Sequence, residues 1–143
     1  MNLNLQVAES VVINADLAKL WEVLTNPEII KEYLFGTETI TDWKVGSDIV
    51  FQGEYQGHKY RDHGVIKENI FHKRITYSYW SGFSGLEDKP ENYSMVSYEL
   101  APMDNNHIIF TWRQKGYPDE ERQMHSQGGM KAFLDQIKAI AER

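Results

Sequence analysis

Apolar and polar residues alternate over residues 3–13 (LNLQVAESVVI), where Leu3, Leu5 and Val7 share a parity with Val11 and Ile13, and this spacing predicts a first strand. Asn14 or Asp16 is placed to cap a short helix whose apolar stripe is Leu17, Leu20, Trp21 and Leu24. Asn26-Pro27-Glu28 then supplies a capping side chain, a proline at the first helical position and an acid in the first turn. A second short helix follows, carrying Ile29, Ile30, Tyr33 and Leu34 and ended by Gly36. From Thr37 to Gly116 the period is that of strands, at 37–43, 48–55, 58–69, 73–80, 93–101 and 107–116. Lys44-Val45-Gly46-Ser47 and Met103-Asp104-Asn105-Asn106 read as turns, and Gln56-Gly57 as the turn of a hairpin. Residues 81–92 (SGFSGLEDKPEN) are expected to be the longest and most mobile loop. Because every connection is short, an antiparallel meander is the economical topology.

The last stretch, Asp119 to Arg143, changes period again. Met130, Phe133, Leu134, Ile137 and Ala141 fall on one helical stripe, while Lys131, Asp135, Lys138, Glu142 and Arg143 lie largely on the other side. Gly128-Gly129 interrupts this otherwise good helical pattern, at about 1 kcal/mol per glycine relative to alanine. The pair reads either as a break between two helices, or as a place where one helix leaves room beneath it or passes close to another backbone. The second reading makes it the point where the helix bends over a cavity. The expected fold is α+β: a curved antiparallel sheet of six to seven strands wrapped around a long C-terminal helix, with two short helices after the first strand. Residues 1–143 are expected to form a single domain.

Composition narrows the function classes. There is no cysteine, which excludes thiolate chemistry and Cys-based metal sites. The net charge is −6 and no basic cluster exceeds Lys73-Arg74, so no nucleic-acid partner is expected. Neither a signal peptide nor an apolar run of about 20 residues is present, so a cytoplasmic protein without a membrane partner is expected. Aromatic residues make up 13% of the chain, enough for a large aromatic core or for an aromatic-lined pocket.

Four stretches carry a family resemblance. "GVIKENIFHKRITYSYW" (64–80) resembles the pattern of a glycine and an aliphatic, then Arg-Leu-x-Tyr-x-Trp, of the START-like (SRPBCC) superfamily. Within it, the chain is most similar to the branch of homologues of the activator of the heat-shock protein 90 ATPase. "ADLAKLWEVLTNPEIIKEYL" (15–34) resembles that branch's first helix pair, "VSYELAP" (96–102) its strand before the last hairpin, and "GGMKAFLDQIKAI" (128–140) its terminal helix. The resemblance spans nearly the whole chain and implies a helix-grip fold with an apolar cavity between sheet and terminal helix. Two departures bear on that cavity: Gly129-Met130 stands where the family commonly has Gly-Trp, and Tyr33 where it often has Trp. Both are expected to enlarge or soften the space beneath the helix, with Met130 setting its size. The superfamily includes lipid carriers, hormone receptors, cyclases and proteins of no known activity, so the resemblance implies no particular reaction.

Candidate chemistry is sparse. His58, His63, His72, His107 and His125 lack metal-ligand spacing, "GFSGL" (82–86) lacks the spacing of a nucleophile elbow, and no phosphate-binding loop is present. No metal or cofactor is therefore expected. "GHKYRDHG" (57–64) alternates His58, Tyr60 and Asp62 on one face with Arg61 and His63 on the other. These residues either pair across the hairpin in solvent, Glu54 with Lys59 or Arg61, or send His58 or Asp62 into the cavity as weak candidates for an acid–base group. Tyr77, Tyr79, Tyr98, Trp112 and Gln114 share parity with the aliphatic inward positions. With Phe51, Ile66, Phe110, Met130, Phe133 and Leu134 they are the expected cavity residues. The function expected first is binding of a hydrophobic or aromatic small molecule, by a monomer or homodimer. The alternatives are a chaperone-associated protein-interaction module and a cyclase- or dehydratase-like enzyme using His58, Asp62 or the tyrosines.

Overall fold

The strand and helix periods are realised in seven strands and three α-helices across residues 1–143 of a computed structural model. In chain order they are β1 (Asn2–Ile13), α1 (Leu17–Thr25), α2 (Pro27–Tyr33), β2 (Glu38–Ile40), β3 (Asp48–Tyr55), β4 (His58–Ile70), β5 (Arg74–Tyr79), β6 (Ser94–Pro102), β7 (Ile108–Tyr117) and α3 (Glu120–Ala141). All strand pairs are antiparallel, in the order β1-β7-β6-β5-β4-β3-β2. β2 to β7 thus form the expected meander, and β1 closes on β7. The result is an α+β helix-grip fold, a curved sheet holding the C-terminal helix.

Local chemistry explains most boundaries. Asp16, rather than Asn14, caps α1 by accepting the Lys19 N–H, and the Asn26 side chain caps α2 ahead of Pro27. Gln56 and Gly57 both take positive φ, the backbone that lets a two-residue turn follow the twist of β3 and β4. The strand expected at 37–43 shrinks to Glu38–Ile40. Asp42 turns its carboxylate onto the Lys44 N–H, and Trp43 adopts φ 64°. The Trp43 indole N–H then donates to the Thr25 carbonyl, tying this segment back to the end of α1. The loop at 81–92 is braced: Trp80 donates to the Leu86 and Glu87 carbonyls, Tyr93 donates to Asp88, and Asp88 pairs with His63 at 3.0 Å.

α3 runs unbroken through Gly128-Gly129, which overturns the expected break between two helices. A Cβ built on either glycine meets nothing within 4 Å, so no close backbone approach requires them, and both face solvent. Gly128→Ala and Gly129→Ala are therefore each expected to stabilise the protein by about 0.5–1 kcal/mol in denaturant unfolding. A loss of stability in either variant would mean the solvent face of the helix has a role this packing lacks.

Three anchors lay α3 along β1. Gln123 donates to the Gln6 carbonyl, Lys138 to the Val12 carbonyl, and Glu142 accepts the Asn14 N–H. The C-terminal half of the helix buries Leu134, Ile137 and Ala141 in the same core as Ile13, Ile108 and Phe110. The N-terminal half covers the sheet less tightly, and the cavity lies beneath it.

Candidate ligand cavity

The cavity has a volume of about 290 Å³ and fourteen lining residues, ten of them apolar or aromatic, so its wall is chiefly nonpolar. Alternation along the strands places the wall: Phe51 from β3, Tyr60 and Asp62 from β4, Tyr77 and Tyr79 from β5, Val96 and Tyr98 from β6, Trp112 and Gln114 from β7. Ser126, Met130 and Phe133 close it from α3, and Leu34 and Thr37 from the connection between α2 and β2. Aromatic rings meet edge-on or tilted around this space, Phe51 with Tyr77 at 5.7 Å and Tyr77 with Tyr98 at 5.7 Å between centroids.

Its few polar groups are organised. The Tyr77 and Tyr98 hydroxyls share a hydrogen bond of 2.8 Å. Burial pushes both phenols up, Tyr98 to about 12, so both stay protonated at neutral pH. Tyr79 donates to Asp62 Oδ2 at 2.6 Å, and its own pKa rises well above the phenol range, first through burial and then through the adjoining carboxylate. Burial also raises the Asp62 pKa, while Tyr79, Ser81, His63 and the Gly82 N–H partly offset that rise. Asp62 is only 7% exposed, and its Oδ1 has no hydrogen-bond partner.

The mouth lies between the α2–β2 connection, the β3–β4 hairpin and the loop after β5. Leu34, Thr37, Tyr60 and Asp62 border both the inner space and this outer cleft. The Tyr60 hydroxyl meets Thr37 Oγ1 at 2.5 Å across the passage. Gly53 makes room for that ring, since a Cβ there would come within 2.6 Å of the Tyr60 hydroxyl. Phe35, Tyr55 and Phe83 form an exposed aromatic rim.

Of the residues expected to line a cavity, Phe51, Tyr77, Tyr79, Tyr98, Trp112, Gln114, Met130 and Phe133 stand in its wall. Ile66, Phe110 and Leu134 do not: all three are fully buried in the solid core. Phe110 sits opposite Val11, near the end of β1 that the C-terminal half of α3 covers. Of the two acid–base candidates, Asp62 reaches the cavity and His58 does not. His58 follows the hairpin turn directly, and its side chain is exposed in a surface cleft beside Trp80 and Phe83. Tyr33 is not in the wall either; it backs Phe133 edge-on and donates to the Val23 carbonyl at 2.9 Å. Leu34, Thr37, Tyr60, Val96 and Ser126 are wall residues that the sequence pattern did not single out. Tyr60 and Val96 were legible by parity with Asp62 and Tyr98, and Ser126 by its helical spacing from Met130. Leu34 and Thr37 depend on how the chain leaves α2, for which periodicity has no signal.

No histidine, lysine or arginine lines the cavity. The His63–Asp88 pair lies on the opposite face of β4, in a separate cleft. No group of three or more His, Asp or Glu side chains is placed to hold a metal ion, and no helix is long and apolar enough to cross a membrane.

Among solved structures, the chain resembles a Cytophaga hutchinsonii protein at 38% identity, covering 96% of this chain and 94% of that one, with a TM-score of 0.82. It also resembles the Aha1 dimer of Colwellia psychrerythraea at 16% identity, covering 96% of each chain, with a TM-score of 0.74. An HSP90 activator from Plasmodium falciparum matches at 17% identity, covering 95% of each chain, with a TM-score of 0.72. At these last two identities the likeness is one of fold. No curated protein matches the chain. The family model described as Activator of Hsp90 ATPase homolog 1-like protein matches residues 14–142, nearly the full length, and the chain belongs to that family.

Proposed function

We propose that this protein binds a hydrophobic or aromatic small molecule beneath the N-terminal half of α3. The observation that carries this reading is a cavity of about 290 Å³ with a mainly aromatic wall and a few convergent polar groups, reached through an aromatic rim. Filling it would bury apolar ligand surface against rings already held by neighbouring packing, so little ordering opposes binding. Native mass spectrometry of protein purified from its own cell extract should show a retained small molecule. A bare chain, with no thermal shift across neutral, anionic and cationic aromatic and aliphatic compounds, would overturn the reading.

Met130 is the residue to perturb, because it is buried and faces the cavity from α3. Met130→Trp is expected to fill the space, raising stability by about 1 kcal/mol and weakening uptake by about tenfold or more. Unchanged uptake would place the ligand elsewhere.

The exposed rim favours a second reading, a protein-interaction surface at the mouth. Phe35 is 85% exposed and Phe83 59%, a degree of aromatic exposure that packing within the chain does not explain. Two fold neighbours are named as an Aha1 dimer and an HSP90 activator, which fits a chaperone or a second copy as the partner. The same native spectrum discriminates: a bound protein in place of a small molecule supports this reading, and neither species counts against both.

A further inference from the structure

We propose that the ligand of this cavity carries a protonated amine, seated against Asp62, with its apolar body among the aromatic rings; this rests on the small-molecule reading above. The wall contains one carboxylate, that of Asp62, and no basic side chain to balance it. The outer cleft repeats the pattern, adding Glu54 and again no lysine, arginine or histidine. The basic groups of β4 do not reach it: His58, on the same parity, is exposed beside the hairpin turn and lines neither the cavity nor its outer cleft. Lys59 and Arg61 are exposed on the other parity of β4, and His63 faces the opposite side of the sheet, where Asp88 engages it.

A carboxylate removed from water without a counter-charge is costly, and one donated hydroxyl from Tyr79 satisfies only part of its hydrogen-bonding capacity. Asp62 Oδ1 has no partner at full hydrogen-bond geometry, although the residue is almost wholly enclosed; the nearby Ser81 hydroxyl and Gly82 N–H are donors but bring no counter-charge. An ammonium group would supply both the missing charge and a donor. The aromatic wall of Tyr77, Tyr79, Trp112 and Phe51 suits the same ligand, because an aromatic ring attracts a cation that can reach its face. An anionic ligand such as a fatty acid would instead meet a like charge inside a low-dielectric space, with no basic residue to receive its head group.

The test is calorimetric titration at neutral pH with three ligands of similar size: phenethylamine, phenethyl alcohol and hydrocinnamate. On the unmodified protein the amine is expected to bind about tenfold tighter than the alcohol, and the anion weakest. In Asp62→Asn, which keeps an acceptor for Tyr79, the ratio of amine to alcohol affinity should fall to about one, whatever the change common to both ligands. Hydrocinnamate binding as tightly as the amine, or an amine preference that survives Asp62→Asn, would overturn the charge selection. Alcohol binding in either case would leave the small-molecule reading standing. If none of the three binds, the amine proposal fails, and the native spectrum and compound panel decide the small-molecule reading separately.

Discussion

Gly64→Ala is expected to destabilise the protein by about 3 kcal/mol or more, or to prevent folding altogether. An ideal Cβ on Gly64 would stand 1.6 Å from the Ser78 carbonyl oxygen, 2.4 Å from its carbon and 3.1 Å from the Tyr79 nitrogen. All three are backbone atoms, so no rotamer change relieves the overlap. β4 and β5 approach irregularly here. Their ladder runs from Ile66–Tyr77 onward, His63 bridges Trp80 at the other side, and between them the Val65 N–H donates to the Ser78 hydroxyl at 3.0 Å. Making room for a methyl group separates the strands at the point that places Tyr79 against Asp62, so the cavity wall should suffer with the stability. Gly53→Ala is the comparison: its nearest neighbour is the hydroxyl end of Tyr60, which can swing away, and the loss should be smaller. Urea unfolding of both variants checks this. A Gly64→Ala protein within about 1 kcal/mol of the parent would show that the strands are not in contact there.

Asp62→Asn should act in the opposite direction, stabilising the ligand-free protein by about 1 kcal/mol at pH values above the raised folded pKa, because it removes a carboxylate charge that burial penalises. Burial raises the carboxyl's pKa in the folded state, so the folded chain binds this proton more tightly than the unfolded chain does. Ionisation therefore penalises the fold. The penalty is absent below the ordinary aspartate range, grows as pH rises through the window up to the raised folded pKa, and is complete above it. The advantage of Asp62→Asn should follow the same course, greatest above the raised folded pKa and fading as the solution is acidified through it. Thermal unfolding of both proteins across that range reads the difference directly. A pH-independent gap, or a less stable variant at neutral pH, would mean that the carboxylate is compensated in the fold. A group kept for stability alone would have such compensation, whereas a binding group can hold its charge for the ligand at a cost in stability.

Alternation and capping determined much of the architecture. A period of two puts Phe51, Tyr77, Tyr98, Trp112 and Gln114 on one face of a sheet whatever lies above it, because successive Cβ atoms must point to opposite sides. Asn26-Pro27 and Gln56-Gly57 set their own local backbone, so the second helix and the hairpin lie where their residues predicted. The ordered family stretches added the long terminal helix as the element the sheet grips.

Parity fixes a face but not a distance from the covering helix, and that distance came from the tertiary structure alone. The C-terminal half of α3, tied down by Lys138 to the Val12 carbonyl and followed by the Glu142 contact to Asn14, buries Leu134, Ile137 and Ala141. Ser126, Met130 and Phe133 instead face the cavity. Hence Phe110 and Trp112, two positions apart on one strand, separate into core and cavity wall. Likewise His58 and Asp62 share a parity, yet one is exposed beside the hairpin turn and the other is enclosed. Gly128-Gly129 drew attention through helix propensity, a local quantity, but the pair faces solvent and shapes nothing beneath it. Gly64 gave no such local signal, and the contact that demands it comes from a strand fourteen positions along the chain, where Ser78 turns its carbonyl inward.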